Sequence, residues 1–293
     1  MQKKTRIYVF PGQGSQKVGM GAELFGRFTE LVATADAELG YSIEELCLRD
    51  SSSRLNQTQF TQPALFVVNA LSYLNHLLET GRLPRFVAGH SLGEYNALFA
   101  AGVFDFRTGI RLVQRRAHLM AKASGGGMAA VIGLSVDQIH RACGLAGVTG
   151  IDIANLNSPN QVVISGPEPD LAAVQPDLER AGAQLIRRLP VSAAFHSRYM
   201  AEAGRVFQGF LEGVTFHEPR IPVISNVTAR PYQLAETKEV LARQITHAVR
   251  WVESVQWLLL QPEPDFLELG PGNVLTGLIR RIKTEGNRLS VTP

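Results

Sequence analysis

Short apolar runs alternate with helix-spaced apolar positions along most of this chain. Residues 6–10 form a buried-strand pattern that stops at Pro11-Gly12. Helical spacing follows over 20–39 and again over 62–79, where Ala64, Leu65, Val68, Leu71 and Leu74 recur at helical steps. Phe86-Val87-Ala88 reads as a second strand, and 92–101 and 106–122 as helices, the first of them stopped by Gly102. Ser124-Gly125-Gly126-Gly127 predicts a hinge. Beyond it the rhythm shortens. Residues 128–134 read as a strand, and Ser135 with Gln138 as the capping box of a helix running to Leu145. Strands are predicted over 151–155 and 161–165, joined by the turn Asn157-Ser158-Pro159-Asn160, then a helix over 171–181 and a strand over 184–190. The remaining pattern predicts helices over 197–211, 237–246 and 251–260, strands over 222–225 and 266–269, and a last helix ending at Ile282.

Strands and helices that alternate in this way predict an α/β fold with a mostly parallel sheet covered by helices. The β-α-β-β-α-β order after the glycines predicts a ferredoxin-like unit. The expected organisation is therefore one large α/β domain from 1–125 and 193–293, with 126–192 as an inserted ferredoxin-like subdomain. At 293 residues the chain is near the size at which one core stops growing, which fits a large domain with a smaller one.

Composition narrows the class. A chain 45% hydrophobic and 19% charged has ample material for a packed core and too little charge for disorder. Lys and Arg exceed Asp and Glu by 29 to 26, a net charge of +3. The basic clusters Arg115-Arg116, Arg187-Arg188 and Arg280-Arg281-Ile282-Lys283 are short and lack interleaved aromatics, which argues against a nucleic-acid partner. The two cysteines, Cys47 and Cys143, form no CxxC and point to a reducing, cytoplasmic setting. The charged start is followed by an apolar run, Ile7 to Phe10, too short for a signal peptide. No stretch approaches the roughly 18 apolar residues of a membrane helix, so no membrane is expected.

The strongest chemical signal is Gly89-His90-Ser91-Leu92-Gly93, a GxSxG between a predicted strand and a predicted helix. In that frame the motif is a nucleophile elbow: flanking glycines permit the tight turn that projects the Ser91 hydroxyl. The following helix N-terminus supplies N–H donors and a favourable dipole for a developing oxyanion. Glu94, three residues on, reads as a capping-box partner. Among the histidines, His196 stands where a coil re-enters the large domain and a helix begins, which makes it a candidate base beside the alternative of a capping or packed residue. His90 adjoins the nucleophile and reads as structural; His76, His118 and His140 fit helix faces. Arg116 could pair with a carboxylate and select a dicarboxylic acyl group, although its position alone reads as a solvated charge. Gly12-Gln13-Gly14 follows a strand, but GxGxxG fails at Lys17 and no GK[ST] follows. HExxH and metal-spaced Cys/His clusters are absent from the sequence, so no metal is expected.

Together these motifs resemble the malonyl-CoA:acyl-carrier-protein transacylases, most closely the free-standing acyltransferases that serve modular polyketide synthases in trans. The segments 10–16, 89–94, the Arg116 helix, 194–197 and Gly270-Pro271-Gly272 follow the family order nearly end to end. The resemblance implies a serine-hydrolase-like large domain with the ferredoxin-like insertion, and an active site in the cleft between them. It implies Ser91 as the nucleophile and His196 as the general base and acid. The N–H groups of Gln13 and Leu92 would form the oxyanion hole, Arg116 would bind the malonyl carboxylate, and the backbone of Gln244 would orient the histidine ring. Leu92 and Phe195 are bulky groups beside the acyl chain, a combination that in this family accompanies unbranched malonyl. His247-Ala248-Val249 stands where the family often has Asn-Pro-Val.

The expected partners are malonyl-CoA and an acyl carrier protein, free or within a synthase, with no resident cofactor and coenzyme A thioester as substrate. The wording of 95–98 and 155–159 is closer to the polyketide enzymes than to fatty-acid synthesis, where the same transfer would also serve. A hydrolase that clears stalled acyl groups from carrier proteins would use the same elbow and histidine. It has no use for a carboxylate clamp at Arg116.

Overall fold

The computed structural model describes residues 4–191 and 193–289. The first half contains β1 (Thr5–Phe10), α1 (Ala22–Phe25), α2 (Thr29–Leu39), α3 (Ile43–Leu48), α4 (Thr58–Thr80), β2 (Phe86–Gly89), α5 (Gly93–Ala100) and α6 (Phe106–Lys122). Then come β3 (Gly126–Ile132), α7 (Val136–Leu145), β4 (Asp152–Ser158), β5 (Gln161–Pro167), α8 (Glu168–Arg180) and β6 (Leu185–Arg188). The chain continues with α9 (Ala201–Leu211), β7 (Val223–Ile224), α10 (Thr237–Gln244), α11 (Trp251–Leu259), β8 (Pro264–Glu268) and α12 (Val274–Leu289).

Two sheets carry the architecture. The first is all parallel, in the order β7-β2-β1-β8. Its inner strands, β1 from Ile7, β2 and β7, are apolar because both of their faces are covered, whereas the edge strand β8 carries Asp265 and Glu268. Tyr8, Phe10, Val87 and Val223 point to a core built with α1–α6, α9 and α10. Their neighbours Ile7, Val9, Ala88 and Ile224 point the other way, onto Trp251, Val255 and Leu258 of α11 and Leu275 and Ile279 of α12. The second sheet is antiparallel, in the order β4-β5-β3-β6, the ferredoxin-like arrangement. Ala129, Val131, Val162 and Ile164 pack on α7 and α8. Met128, Ala130 and Val163 face the large core. Val249 ties the two halves together: its N–H donates to Ala154 O and its carbonyl accepts from Leu156 N, both at 2.9 Å. No helix among the described residues is long and apolar enough to cross a membrane.

Several elements differ from the pattern reading. The single helix expected over 20–39 is two, α1 and α2, separated by a turn at Gly26. The short α3 gave no periodic signal, six residues being too few; Ser42 caps it by accepting from Glu45 N. Helix α4 starts four residues early, because its polar first turn lies outside the apolar repeat that marked the rest. Of the glycines expected to form a hinge, Gly125 precedes β3 with φ of 86°, while Gly126 and Gly127 already pair with Pro167 and Gly166 in β3. The β4–β5 turn is tighter than expected, Pro159-Asn160, and β6 shorter. The helix expected from 197 opens as a 3₁₀ turn over Arg198–Met200, capped by Ser197, before α9. The expected subdomain border at Ser192 lies outside the described residues.

Candidate active site

Three segments meet at the C-terminal end of the parallel sheet. The elbow follows β2, and Ser91 sits at its apex with φ of 51°, in the left-handed region that a non-glycine residue enters only at a cost. The flanking glycines are required by contact and not by dihedral. A Cβ on Gly89 would lie 1.9 Å from Gly93 C, and one on Gly93 2.0 Å from Phe10 O. The loop after β1 presses on the same turn: a Cβ on Gly12 would meet His90 O at 2.3 Å. Asn69 Nδ2 donates to Pro11 O at 3.0 Å, and Gly12 O accepts from Ser15 Oγ at 2.8 Å. These contacts set Gln13 opposite Leu92, and both line the cavity at Ser91.

His196 arrives from the segment before α9, also at positive φ, 56°. Its Nε2 lies 2.8 Å from Ser91 Oγ and its Nδ1 2.8 Å from the carbonyl of Gln244. A carbonyl only accepts, so Nδ1 carries the proton and Nε2 is left bare to take one from Ser91. Burial pushes the imidazole down to about 3, and the Arg116 charge pushes in the same direction. The ring is therefore neutral at physiological pH.

Arg116 is fully buried, contrary to the solvated charge its position alone suggested, because it lies on the inner face of the strongly amphipathic α6. Its Nη1 donates to Gln62 Oε1 at 2.6 Å, Nε and Nη2 donate to Gln244 Oε1 at 3.2 and 2.9 Å, and Nη2 donates to Ser91 Oγ at 3.1 Å. The guanidinium also sits 5.5 Å from the centre of the Tyr95 ring. All these partners are neutral, and burial holds its pKa below the ordinary value. A positive charge so placed is suited to an incoming anion.

Gln244 does more than its backbone role. Besides holding Arg116, its Nε2 donates to Ser91 O at 2.8 Å and to Glu94 Oε2 at 2.6 Å. Glu94 is not the capping-box partner that its spacing suggested. Its buried carboxyl caps no N–H of the helix start and accepts instead from Tyr232 Oη at 2.6 Å and Asn226 N at 3.1 Å. Desolvation pushes it up to about 7, against the pull of these donors. His90 turns away from Ser91, its Nε2 lying 2.7 Å from Asn157 Oδ1 in the antiparallel sheet and its ring edge-on to Trp251. The segment 247–249 leaves Gln244 in place: His247 N–H returns to Arg243 O at 2.9 Å. Gln62, Asn226, Tyr232 and the Glu94 contacts gave no sequence signal, since their partners are far away in the chain.

The cavity at Ser91 is small, about 90 Å³, and is completed by Met120, Met128, Val191 and Phe195. Through Gln13, His90, Asn155 and Leu189 it joins an outer groove of about 510 Å³ between the antiparallel sheet and the start of α12, with Arg187 on its wall. A larger depression of about 710 Å³, beside Phe104, Arg111 and Phe210, shares no residue with either.

A family described as the acyl transferase domain matches residues 7–288. The polyketide biosynthesis malonyl CoA-acyl carrier protein transacylase BaeC of Bacillus velezensis is 54% identical over 279 residues, 95% of this chain and 96% of its own. The polyketide biosynthesis protein PksE of Bacillus subtilis is 52% identical over 287 residues, 98% of this chain; the chain spans 37% of that relative's length. The crystal structure of malonyl CoA-acyl carrier protein transacylase from Burkholderia pseudomallei superposes with a TM-score of 0.94 at 47% identity, covering 99% of this chain and 100% of that one.

Proposed function

The chain belongs to the acyl transferase domain family, and on that premise we propose that it moves a malonyl group from malonyl-CoA to the phosphopantetheine thiol of an acyl carrier protein. The observation that carries this reading is the meeting of three groups. Ser91 Oγ lies 2.8 Å from a bare His196 Nε2 and 3.1 Å from the buried Arg116 guanidinium.

In the first half-reaction the malonyl carboxylate pairs with Arg116, which turns the thioester carbonyl toward Ser91. His196 takes the Ser91 proton as Oγ attacks. The N–H groups of Gln13 and Leu92 hold the oxyanion, and the α5 dipole adds to them. Collapse expels the coenzyme A thiolate, which His196 protonates. In the second half-reaction the carrier thiol enters along the outer groove, loses its proton to His196 and attacks the malonyl-serine. Ser91 leaves and recovers its proton from His196. The Gln244 carbonyl does the orienting work that an aspartate does in a full triad, and stabilises the imidazolium formed in each step. This chemistry calls for no resident cofactor. The small cavity, closed by Phe195 and the two methionines, suits an unbranched acyl group.

The names of the similar proteins support a place in polyketide biosynthesis, and the reading is completed by supply of polyketide synthase modules in trans, in the cytoplasm. Labelled malonyl-CoA is expected to label Ser91 and then a holo carrier protein. Absence of label from the Ser91 peptide, or release of free malonate at the rate of labelling, would overturn transfer.

A further inference from the structure

The elbow that presents Ser91 is held from outside by Asn226. This residue lies just beyond β7, the strand next to β2 in the parallel sheet, and is 1% exposed. The Ser91 N–H donates to Asn226 Oδ1 at 2.7 Å, and Asn226 Nδ2 donates to Gly89 O at 2.7 Å. A backbone N–H only donates and a carbonyl only accepts, so this pair of bonds fixes the amide orientation without ambiguity. One side chain thus grips the turn on both sides of His90.

Asn226 is itself held. Its carbonyl accepts from Arg250 N at 3.0 Å, and its own N–H donates to Glu94 Oε1 at 3.1 Å. Glu94 accepts on its other oxygen from Gln244 Nε2, and Gln244 holds both His196 and Arg116. A continuous set of hydrogen bonds, buried beyond its first member, therefore runs from the Ser91 amide to the base and to the cation. A serine at φ of 51° stays there only when its surroundings over-determine it. Asn226 supplies the two shortest backbone restraints on that turn.

We infer that Asn226 is a positioning residue, which sets the Ser91 hydroxyl against His196 and the incoming carbonyl without touching substrate. Displacement of a reacting group by about 1 Å costs on the order of 100-fold in rate, with little effect on substrate binding. The inference rests on Ser91 acting as the nucleophile. Its test separates the two ideas.

Asn226→Leu keeps the size of the side chain and removes both bonds. Asn226→Asp keeps the acceptor for the Ser91 N–H and loses the donor to Gly89. Single-turnover malonylation of Ser91, read by intact-protein mass and peptide mapping, is expected to slow about 100-fold in the leucine variant and to recover in part in the aspartate variant. Malonyl-CoA affinity, measured in a Ser91→Ala background with and without each substitution, is expected to stay within about threefold of its parent. Rates are compared per folded molecule, from the near-ultraviolet circular dichroism amplitude. A leucine variant that acylates as fast as the parent overturns the positioning role. So does a rate loss matched by an equal affinity loss, or an aspartate variant no faster than leucine. If the leucine variant does not fold, the aspartate variant alone decides: an unchanged acylation rate overturns the role. An unsubstituted protein that forms no adduct on Ser91 instead overturns the reading on which the inference rests.

Discussion

Arg116 and His196 share one partner: Nη2 of the first and Nε2 of the second lie 3.1 and 2.8 Å from Ser91 Oγ. A fixed cation therefore stands beside the imidazole and disfavours its protonated form, while Gln244 links the two through its side chain and its carbonyl. In the proposed reaction, acyl selection and nucleophile activation meet at a single oxygen.

Arg116→Ala is expected to lower kcat/KM for malonyl transfer by about 10²- to 10³-fold, the scale of losing one partner of a buried charge pair. Acetyl transfer should fall far less or rise, because a neutral acyl group loses no ion pair. Parallel assays with malonyl-CoA and acetyl-CoA check this; an unchanged preference removes Arg116 from the role.

The depressed His196 pKa makes a prediction about acid. With the folded value near 3, kcat/KM should hold its plateau down to about pH 5 and show no inflection at 6.5. The unfolded chain gains a proton on this residue through about 6.5, whereas the folded chain does not. Its contribution to stability is therefore present above 6.5 and lost as pH falls toward 3. Urea midpoints at pH 7.5 and 5 should differ less in His196→Asn than in the parent.

Gln62 holds the far side of the guanidinium, through Nη1 at 2.6 Å. Gln62→Leu leaves that donor buried without this partner, at about 1.5–3 kcal/mol for a charged hydrogen bond. A loss of about 10- to 100-fold in malonyl kcat/KM is expected, with Ser91 still reactive toward acetyl-CoA. Equal losses for both substrates would point to a general collapse of the cavity.

The glycines of the elbow and of the loop should separate in a stability measurement. Gly93→Ala places a Cβ 2.0 Å from the Phe10 carbonyl and is expected to cost more than about 3 kcal/mol or to prevent folding. Gly14→Ala meets nothing within 4 Å and bears only the strain of its φ of 105°, about 1–2 kcal/mol. Denaturation midpoints for the two variants test the ordering.

Local signals proved legible where a few adjacent residues carry the physics. Ser135 and Gln138 form the capping box that their spacing predicted, because both partners lie within one helical turn. The strand–GxSxG–helix frame is present as β2, the elbow and α5. Glu94 shows the opposite case. Its position after Ser91 matched a capping motif, yet its carboxyl follows Tyr232, Asn226 and Gln244, which the tertiary fold brings to it. Arg116 and Arg115 are neighbours of the same type in the sequence; α6 buries the first completely and leaves the second half-buried against Phe210.

The sequence by itself determined the alternation that makes two sheets, the glycines that allow close backbone approach, and the kinds of groups available for acyl chemistry. Only the tertiary structure decided which of them meet. Asn226 reaches Ser91 across 135 residues and Gln244 reaches it across 153. Both contacts depend on β7 lying beside β2 and on α10 closing over the elbow. Hydrophobic periodicity reports which face of an element is buried, and leaves open which other element covers it.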